Sequence, residues 1–370
     1  MEILKNVLPQ SFKNFLKKYK YLFNEIRKGH KKHLKILLKN NEGKSISIDN
    51  EKKWIKKLCK LTYSNPELFE IGIEFANSQI EILQERNIQQ EDVIVICVVK
   101  NDIIKLKRFI SHYRKLGIKK FIILDNNSDD GSVQWLLKQD DVIILQTKMK
   151  YTSSRRVGWI NRIIAHYGDN RWYIIVDSDE FLVYNDCENK NIQDLIKYCK
   201  ENNMVRLKAI MLDMYANYQY YINGNIADFY EQCVYFDKKY TSKDQYSNLI
   251  YGGPRERVFN VSACLTKYPL FYFRKNDIQC NSHYLYPYNE NIRKECNLVL
   301  KHYKFLPGEL EKYKKIAKEG NYYNGSQEYK SYINVIEKKK VLDFMFEDTE
   351  KYINSNSLAK INVYKKITWK

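Results

Sequence analysis

The chain has no stretch of about 20 apolar residues, the length a bilayer-spanning helix needs, and residues 1–10 lack the apolar core of a secretory signal. A protein that is neither exported nor membrane-spanning is expected. None of the eight cysteines (Cys59, Cys97, Cys187, Cys199, Cys233, Cys264, Cys280, Cys296) stands in a C-x-x-C pair or at a regular spacing, which argues against a zinc site or a disulfide framework. Cys97, inside an apolar run, reads as a small buried hydrophobe, and reduced thiols fit a cytoplasmic chain. There are no internal repeats and no recognised nucleic-acid-binding motif, so the formal net charge of +19 does not by itself indicate DNA or RNA.

With 370 residues, 44% of them hydrophobic, the chain has material for one large domain or two ordinary ones. The charge is uneven: residues 1–60 hold 17 Lys and Arg against 5 Asp and Glu, a net +12. Leu4, Leu8, Phe12, Phe15, Leu16, Tyr19, Leu22 and Phe23 recur there at helical spacing, with lysines on the other face. A basic helical extension is predicted over residues 1–90, with a loop at 40–45 and a second helix over 50–88. Such a helix either packs on the main domain or lies on an anionic membrane surface. From residue 92 the pattern alternates. Strands are predicted at 93–99, 119–124, 142–145 and 172–176, and helices at 103–116, from 132 and around 156–166, an α/β arrangement with a mostly parallel sheet. Gly117 suits a helix C-cap. Residues 203–300 are less regular apart from a strand at 205–211, and helices return at 309–317 and 329–344.

Chemistry concentrates where the 172–176 run ends, in Asp177-Ser178-Asp179-Glu180-Phe181. Carboxylates two apart on an extended segment point the same way and can share one hard cation, and the strand ends of an α/β sheet are where ligands bind. The alternative is a plain turn. The strand at 119–124 runs into Asp125-Asn126-Asn127-Ser128-Asp129-Asp130-Gly131, a polar loop in which Asp130 or Ser132 can cap the next helix.

In that order, Val95-Ile96-Cys97-Val98-Val99-Lys100-Asn101, the loop beginning at Asp125 and the D-x-D-E-F string resemble a GT-A glycosyltransferase of the family 2-like group. The resemblance covers residues 92 to about 305, with a nucleotide-sugar half at 91–185, an acceptor half at 186–305 and a helical C-terminal extension at 306–370. It implies a Rossmann-like, mostly parallel sheet flanked by helices, and sugar transfer from a nucleoside diphosphate donor to an acceptor hydroxyl, with inversion. Lys100, Asn101 and Asp125 would then line the nucleotide pocket, while Asp177 and Asp179 would hold Mn2+ or Mg2+. Gly252-Gly253-Pro254-Arg255-Glu256-Arg257 and Lys267-Tyr268-Pro269-Leu270 are similar to further segments of the subgroup. They suggest Arg255 and Arg257 as diphosphate ligands and His283 as a third metal ligand. Glu256 and Asp213 are candidates for the base, since the acidic acceptor-side pair of better-understood members has no clear counterpart. His302 recurs in similar sequences without an assigned role.

A glycan or lipid-linked acceptor in surface-glycan assembly (lipopolysaccharide, capsule or related) would fit a cytoplasmic enzyme that touches anionic membrane through residues 1–60. The competing readings are a basic nucleic-acid-binding protein and a metal-dependent nucleotidyltransferase. Against the latter, residues 97–105 contain no glycine for a phosphate loop. The 31 tyrosines, many between 214 and 288, serve either sugar stacking or the core.

Overall fold

The computed structural model describes residues 10–61, 67–243, 249–291, 295–339 and 342–369. Helices α1 (Gln10–Asn40), α2 (Glu51–Leu61) and α3 (Glu67–Asn77) precede strand β1 (Glu81–Gln84). Strands and helices then alternate as β2 (Ile94–Val99), α4 (Ile103–Lys115), β3 (Lys120–Asp125), α5 (Ser132–Leu136), β4 (Val142–Gln146), α6 (Ser153–Tyr167) and β5 (Arg171–Ile175). Next come β6 (Glu180–Val183), α7 (Ile192–Glu201), β7 (Arg206–Asp213), α8 (Tyr218–Asn223), α9 (Phe229–Gln232), β8 (Tyr235–Asp237), β9 (Tyr240–Lys243) and β10 (Leu249–Gly252). The chain continues through α10 (Gly253–Phe259), β11 (Thr266–Phe273), β12 (Ile278–Gln279), β13 (Leu285–Tyr286) and β14 (Leu298–His302) to α11 (Leu310–Glu319), α12 (Tyr323–Lys339) and β15 (Thr349–Lys351).

The runs Ile94–Val99 and Arg171–Ile175 form strands because their side chains, largely β-branched or aromatic, are covered on both faces of a sheet. The central sheet has nine strands in the order β1-β4-β3-β2-β5-β11-β7-β14-β6. Pairings β2 with β3, β3 with β4, β2 with β5 and β14 with β7 are parallel, whereas β11, β1 and β6 run antiparallel to their neighbours. The class is therefore α/β with a mostly parallel sheet flanked by helices, as expected. Alternation along β2 divides the interior. Val95, Cys97 and Val99 join Phe109, Tyr113, Phe121 and Phe181 in one cluster, and Ile94 and Ile96 join Leu34, Trp54, Phe75 and Ile160 in another. The basic N-terminal helices thus share the core that covers one sheet face.

Three local outcomes differ from the sequence reading. In place of the one helix expected over 50–88 the described residues form α2 and α3, and α3 ends at Asn77, where Ser78 Oγ bonds back to the carbonyls of Glu74 (2.7 Å) and Phe75 (3.0 Å). Residues beyond it form β1, recruited by the free edge of β4. The helix expected over 329–344 stops at Lys339, and Phe344 instead packs between Phe259, Phe305 and Tyr215. The irregular stretch at 203–300 supplies three strands of the central sheet. One of them, β11, tolerates Pro269 because its register with β7 shifts between Lys267 and Leu270. Gly117 has φ +88° and follows α4 as expected of a C-cap glycine, its N–H bonded to Arg114 O at 2.9 Å. Among the described residues no helix is long and apolar enough to cross a membrane.

Candidate active site

Because β2, β3, β5, β7 and β14 run the same way, their C-terminal ends bring Lys100, Asp125, Asp177, Asp213 and His302 to one edge of the sheet. Strand β14 lies between β7 and β6, with His302 in register with Asp213 on one side and with Glu180 on the other. Residues more than a hundred positions apart in the chain therefore meet.

The turn after β5 is held by its own acid. Glu180 accepts the N–H of Asp177 (3.0 Å), and its carboxylate takes both nearest contacts of Lys267 Nζ, at 2.6 and 2.5 Å. Both side chains of this pair are 2% exposed. Lys267 comes from the Lys-x-Pro-Leu segment, which in this chain meets the Glu of D-x-D-E-F. Asp177, with 40% of its side chain exposed, accepts from Arg156 Nη2 at 2.5 Å and lies 3.7 Å from Lys267. Against desolvation, these two cations hold its carboxyl far below the ordinary range. Arg156 stands in the first turns of α6, whose N-cap Thr152 accepts from Arg155 N. Its other nitrogen, Nη1, is buried without a partner among the described residues. Phe181 is core, as expected, edge-on to Tyr303 and Phe109.

His302 Nδ1–H donates to Asp213 Oδ1 at 2.6 Å, and its Nε2 faces Asp179 Oδ2 at 3.7 Å. An imidazole nitrogen and a carboxylate oxygen, both groups that ligate divalent cations, thus face each other at the edge. Asp213 is fully buried and also takes Arg255 Nε at 2.8 Å. Against burial, Arg255 and His302 hold its pKa down to about 2.

On the nucleotide side, Asn101 (φ +52°) clasps the loop after β3. Its backbone N–H donates to Ser128 Oγ at 2.9 Å and its amide exchanges bonds with Asp129 at 2.7 and 2.9 Å. Asp130 spans two helix starts, accepting from Ile103 N of α4 (2.9 Å) and from Ser132 N of α5 (3.0 Å). Asp125 is buried. One oxygen accepts from Ser128 N (3.0 Å) and Gln146 (3.1 Å), and the other has no partner among the described residues. Lys100 is exposed beside this loop.

The other residues singled out in the sequence are placed as follows. Asp213 has both carboxylate oxygens engaged, one by Arg255 Nε and the other by His302 Nδ1. Arg255 is committed to Asp213 and, at 3.5 Å, to Glu328, and Arg257 to Asp237 at 3.0 Å and the carbonyl of Phe344 at 2.8 Å. Both arginines thus make internal ion pairs. His283 gives its Nδ1–H to Thr266 O at 2.7 Å, and burial and Lys267 push its pKa down to about 4. Among the described residues no group of three or more His, Cys, Asp or Glu is arranged as a metal site, so Asp177, Asp179 and His283 do not form one together. Asp179 and His302, 3.7 Å apart, are the two residues at this edge that could hold a divalent cation. Glu256 is half-buried on α10, without an ion pair among the described residues. Sequence reasoning passed over Arg156, Lys267 and the pairing of His302. Only the Lys-x-Pro-Leu segment and the recurrence of His302 hinted at the last two, and nothing marked Arg156 among many basic residues.

No protein-family model and no curated protein matches the chain. Among solved structures it is similar to TarS 1-349 from S. aureus, with a TM-score of 0.28 and 13% identity over 62% of this chain and 64% of that one. It is also similar to HddC from Yersinia pseudotuberculosis, with a TM-score of 0.26 and 10% identity over 49% of this chain and 74% of that one. The chain thus spans less than two thirds of the TarS structure it matches. At these levels the likenesses assign no activity to this chain.

Proposed function

We propose that this chain is a glycosyltransferase that moves a sugar from a nucleoside diphosphate donor to an acceptor hydroxyl, with inversion, in the manner of the GT-A family its motifs resemble. The observation that carries this reading is the pairing of Asp179 with His302 at the strand edge that also holds Asp125, with its unpartnered buried oxygen. Asp125 would accept from the nucleoside, with Lys100 and Asn101 alongside. Asp179 and His302 would hold Mn2+ or Mg2+, which when bound supplies charge neutralisation for the departing diphosphate. Asp213 would orient His302 through its Nδ1 and leave Nε2 directed at the metal. Asp177 fixes Arg156 and Lys267 beside the turn, and Arg156 Nη1, like Arg255 Nη2, is a buried donor without a partner among the described residues, so either would be free to meet a phosphate oxygen, whereas Arg257 is held by Asp237 and the Phe344 carbonyl. Glu256, lacking an ion pair, is the remaining base candidate. The acceptor class, a glycan or lipid-linked glycan of surface-glycan assembly, and a peripheral membrane contact through the basic N-terminal helices belong to the same proposal.

A screen of nucleotide sugars for Mn2+-dependent hydrolysis or thermal stabilisation tests it, with Asp179→Ala as control. At least one donor should stabilise the wild type in a metal-dependent way and fail to do so with Asp179→Ala. If no donor binds, or if the variant binds equally well, the reading is wrong.

A further inference from the structure

Helix α11 lies beyond the strand-end motifs in sequence, yet it reaches the Asp177–Asp179 turn through a continuous polar chain. Ser178, the middle residue of that turn, is buried and donates its hydroxyl to Asp102 Oδ2 at 2.9 Å. Asp102 stands at the head of α4, and its other oxygen meets Lys312 Nζ at 3.1 Å and Lys105 Nζ at 4.0 Å. Lys105, 4% exposed, places its ammonium 2.6 Å from Glu309 Oε1, with Lys312 3.7 Å from the same oxygen. Two carboxylates and two ammonium groups thus close a neutral network between the head of α4 and the head of α11. Against burial, the charges of Glu309, Asp102 and Asp179 keep Lys105 protonated. The backbone ties the same turn from the other side, where Tyr303 N–H donates to Asp179 O at 2.9 Å.

A buried ion network of this kind contributes little net stability, because desolvation offsets most of the Coulomb attraction. Its effect is geometric: each member has one low-energy position once its partners are set. We infer that Glu309 and Lys105 are positioning residues, which hold Asp102, and through it Ser178, so that Asp179 stays opposite His302. The C-terminal helical segment is then part of the active centre rather than an appended support. This rests on the turn being the diphosphate anchor proposed above.

The primary readout is amide hydrogen exchange of residues 177–181 in the ligand-free protein, which stands whether or not a nucleotide sugar binds. Glu309→Gln leaves the Lys105 ammonium with Asp102 alone, and Ser178→Ala cuts the chain at the turn itself. Both should speed exchange at 177–181 well beyond any change in the α1–α3 region; Ser178→Ala should leave the thermal midpoint close to wild type, Glu309→Gln should lower it because Lys105 stays buried without its nearest partner, and Glu309→Asp should restore slow exchange. Mn2+-dependent affinity for a nucleoside diphosphate should fall about tenfold in both, as when an outer partner of a metal ligand is removed, with metal-free nucleoside affinity unchanged. Unaltered exchange at 177–181 overturns the inference. So does exchange in Ser178→Ala that rises no more at 177–181 than in the rest of the protein, which marks α11 as a structural support only. If Glu309→Gln does not fold, Ser178→Ala decides alone. A wild type that binds no nucleoside diphosphate overturns the functional reading and leaves the exchange result intact.

Discussion

Asp213 and His112 illustrate how burial turns single side chains into constraints. The carboxyl of Asp213 has a folded pKa of about 2 against an ordinary 3.8, lowered by Arg255 and His302. Such a group contributes stability that is complete above the ordinary value and is lost as pH falls through the folded one. Asp213→Asn leaves the Arg255 guanidinium buried with only Glu328 at 3.5 Å and is expected to cost about 3–5 kcal/mol in urea unfolding, as for a broken buried pair. His112 works in the opposite charge state. Its Nε2–H donates to Leu182 O at 2.8 Å and its Nδ1 accepts from Tyr230 at 3.2 Å, which satisfies a neutral ring. Burial and Lys301 push its pKa from 6.5 to about 3. The unfolded chain then takes up the proton first, so stability is complete above the ordinary value and declines below it, by up to about 1.4 kcal/mol per pH unit. Thermal unfolding followed from about pH 7 to about pH 4 should show this slope, and His112→Gln should flatten it; an equal slope in the variant would assign the acid lability elsewhere.

At the scale of elements, the crossing of α3 over α6 depends on one residue without a side chain. A Cβ at Gly158 would lie 2.7 Å from the Glu74 carbonyl carbon and 2.8 Å from Phe75 N, backbone atoms that cannot rotate away. Gly158→Ala should therefore push the helices apart and lower stability by about 1–3 kcal/mol, the usual range for overpacking, measured by denaturant unfolding. Because α6 also carries Arg156 to Asp177, the same variant should weaken nucleoside diphosphate binding more than nucleoside binding. Which elements were legible follows from their surroundings. Strands β2 and β5 are covered on both faces and so read as plain apolar runs. Strand β1 has mostly exposed side chains and exists through its pairing with β4, and β11 contains a proline that argues against a central strand.

At the scale of the molecule, the concentrated N-terminal charge is laid over a core rather than held on a detached arm. Leu34, Leu38, Trp54 and Leu58 are buried, while Lys31, Lys32, Lys35 and Lys39 are exposed on the same segment. Residues 1–23, on which much of the predicted amphipathic pattern falls, lie outside the described residues or have no described side chains. Deleting residues 1–60 would remove core side chains and unfold the protein, so it does not test the proposed membrane contact. Replacing Lys31, Lys32 and Lys35 by Gln does. Binding to vesicles containing anionic lipid should weaken by about 1 kcal/mol per lysine and become less salt-dependent; undiminished binding would remove the membrane from the proposal.

By itself the sequence determined the α/β alternation, the strand-end positions of Lys100, Asp125 and Asp177, and the buried place of Phe181, because each follows from local periodicity and from what ends a strand. Only the tertiary structure decided which charges neutralise which. Arg255, Arg257, Lys267, Arg156 and His302 are equally polar in the sequence. Their partners are set by the insertion of β14 between β7 and β6 and of β11 between β5 and β7, and such long-range pairings leave no periodic trace along the chain.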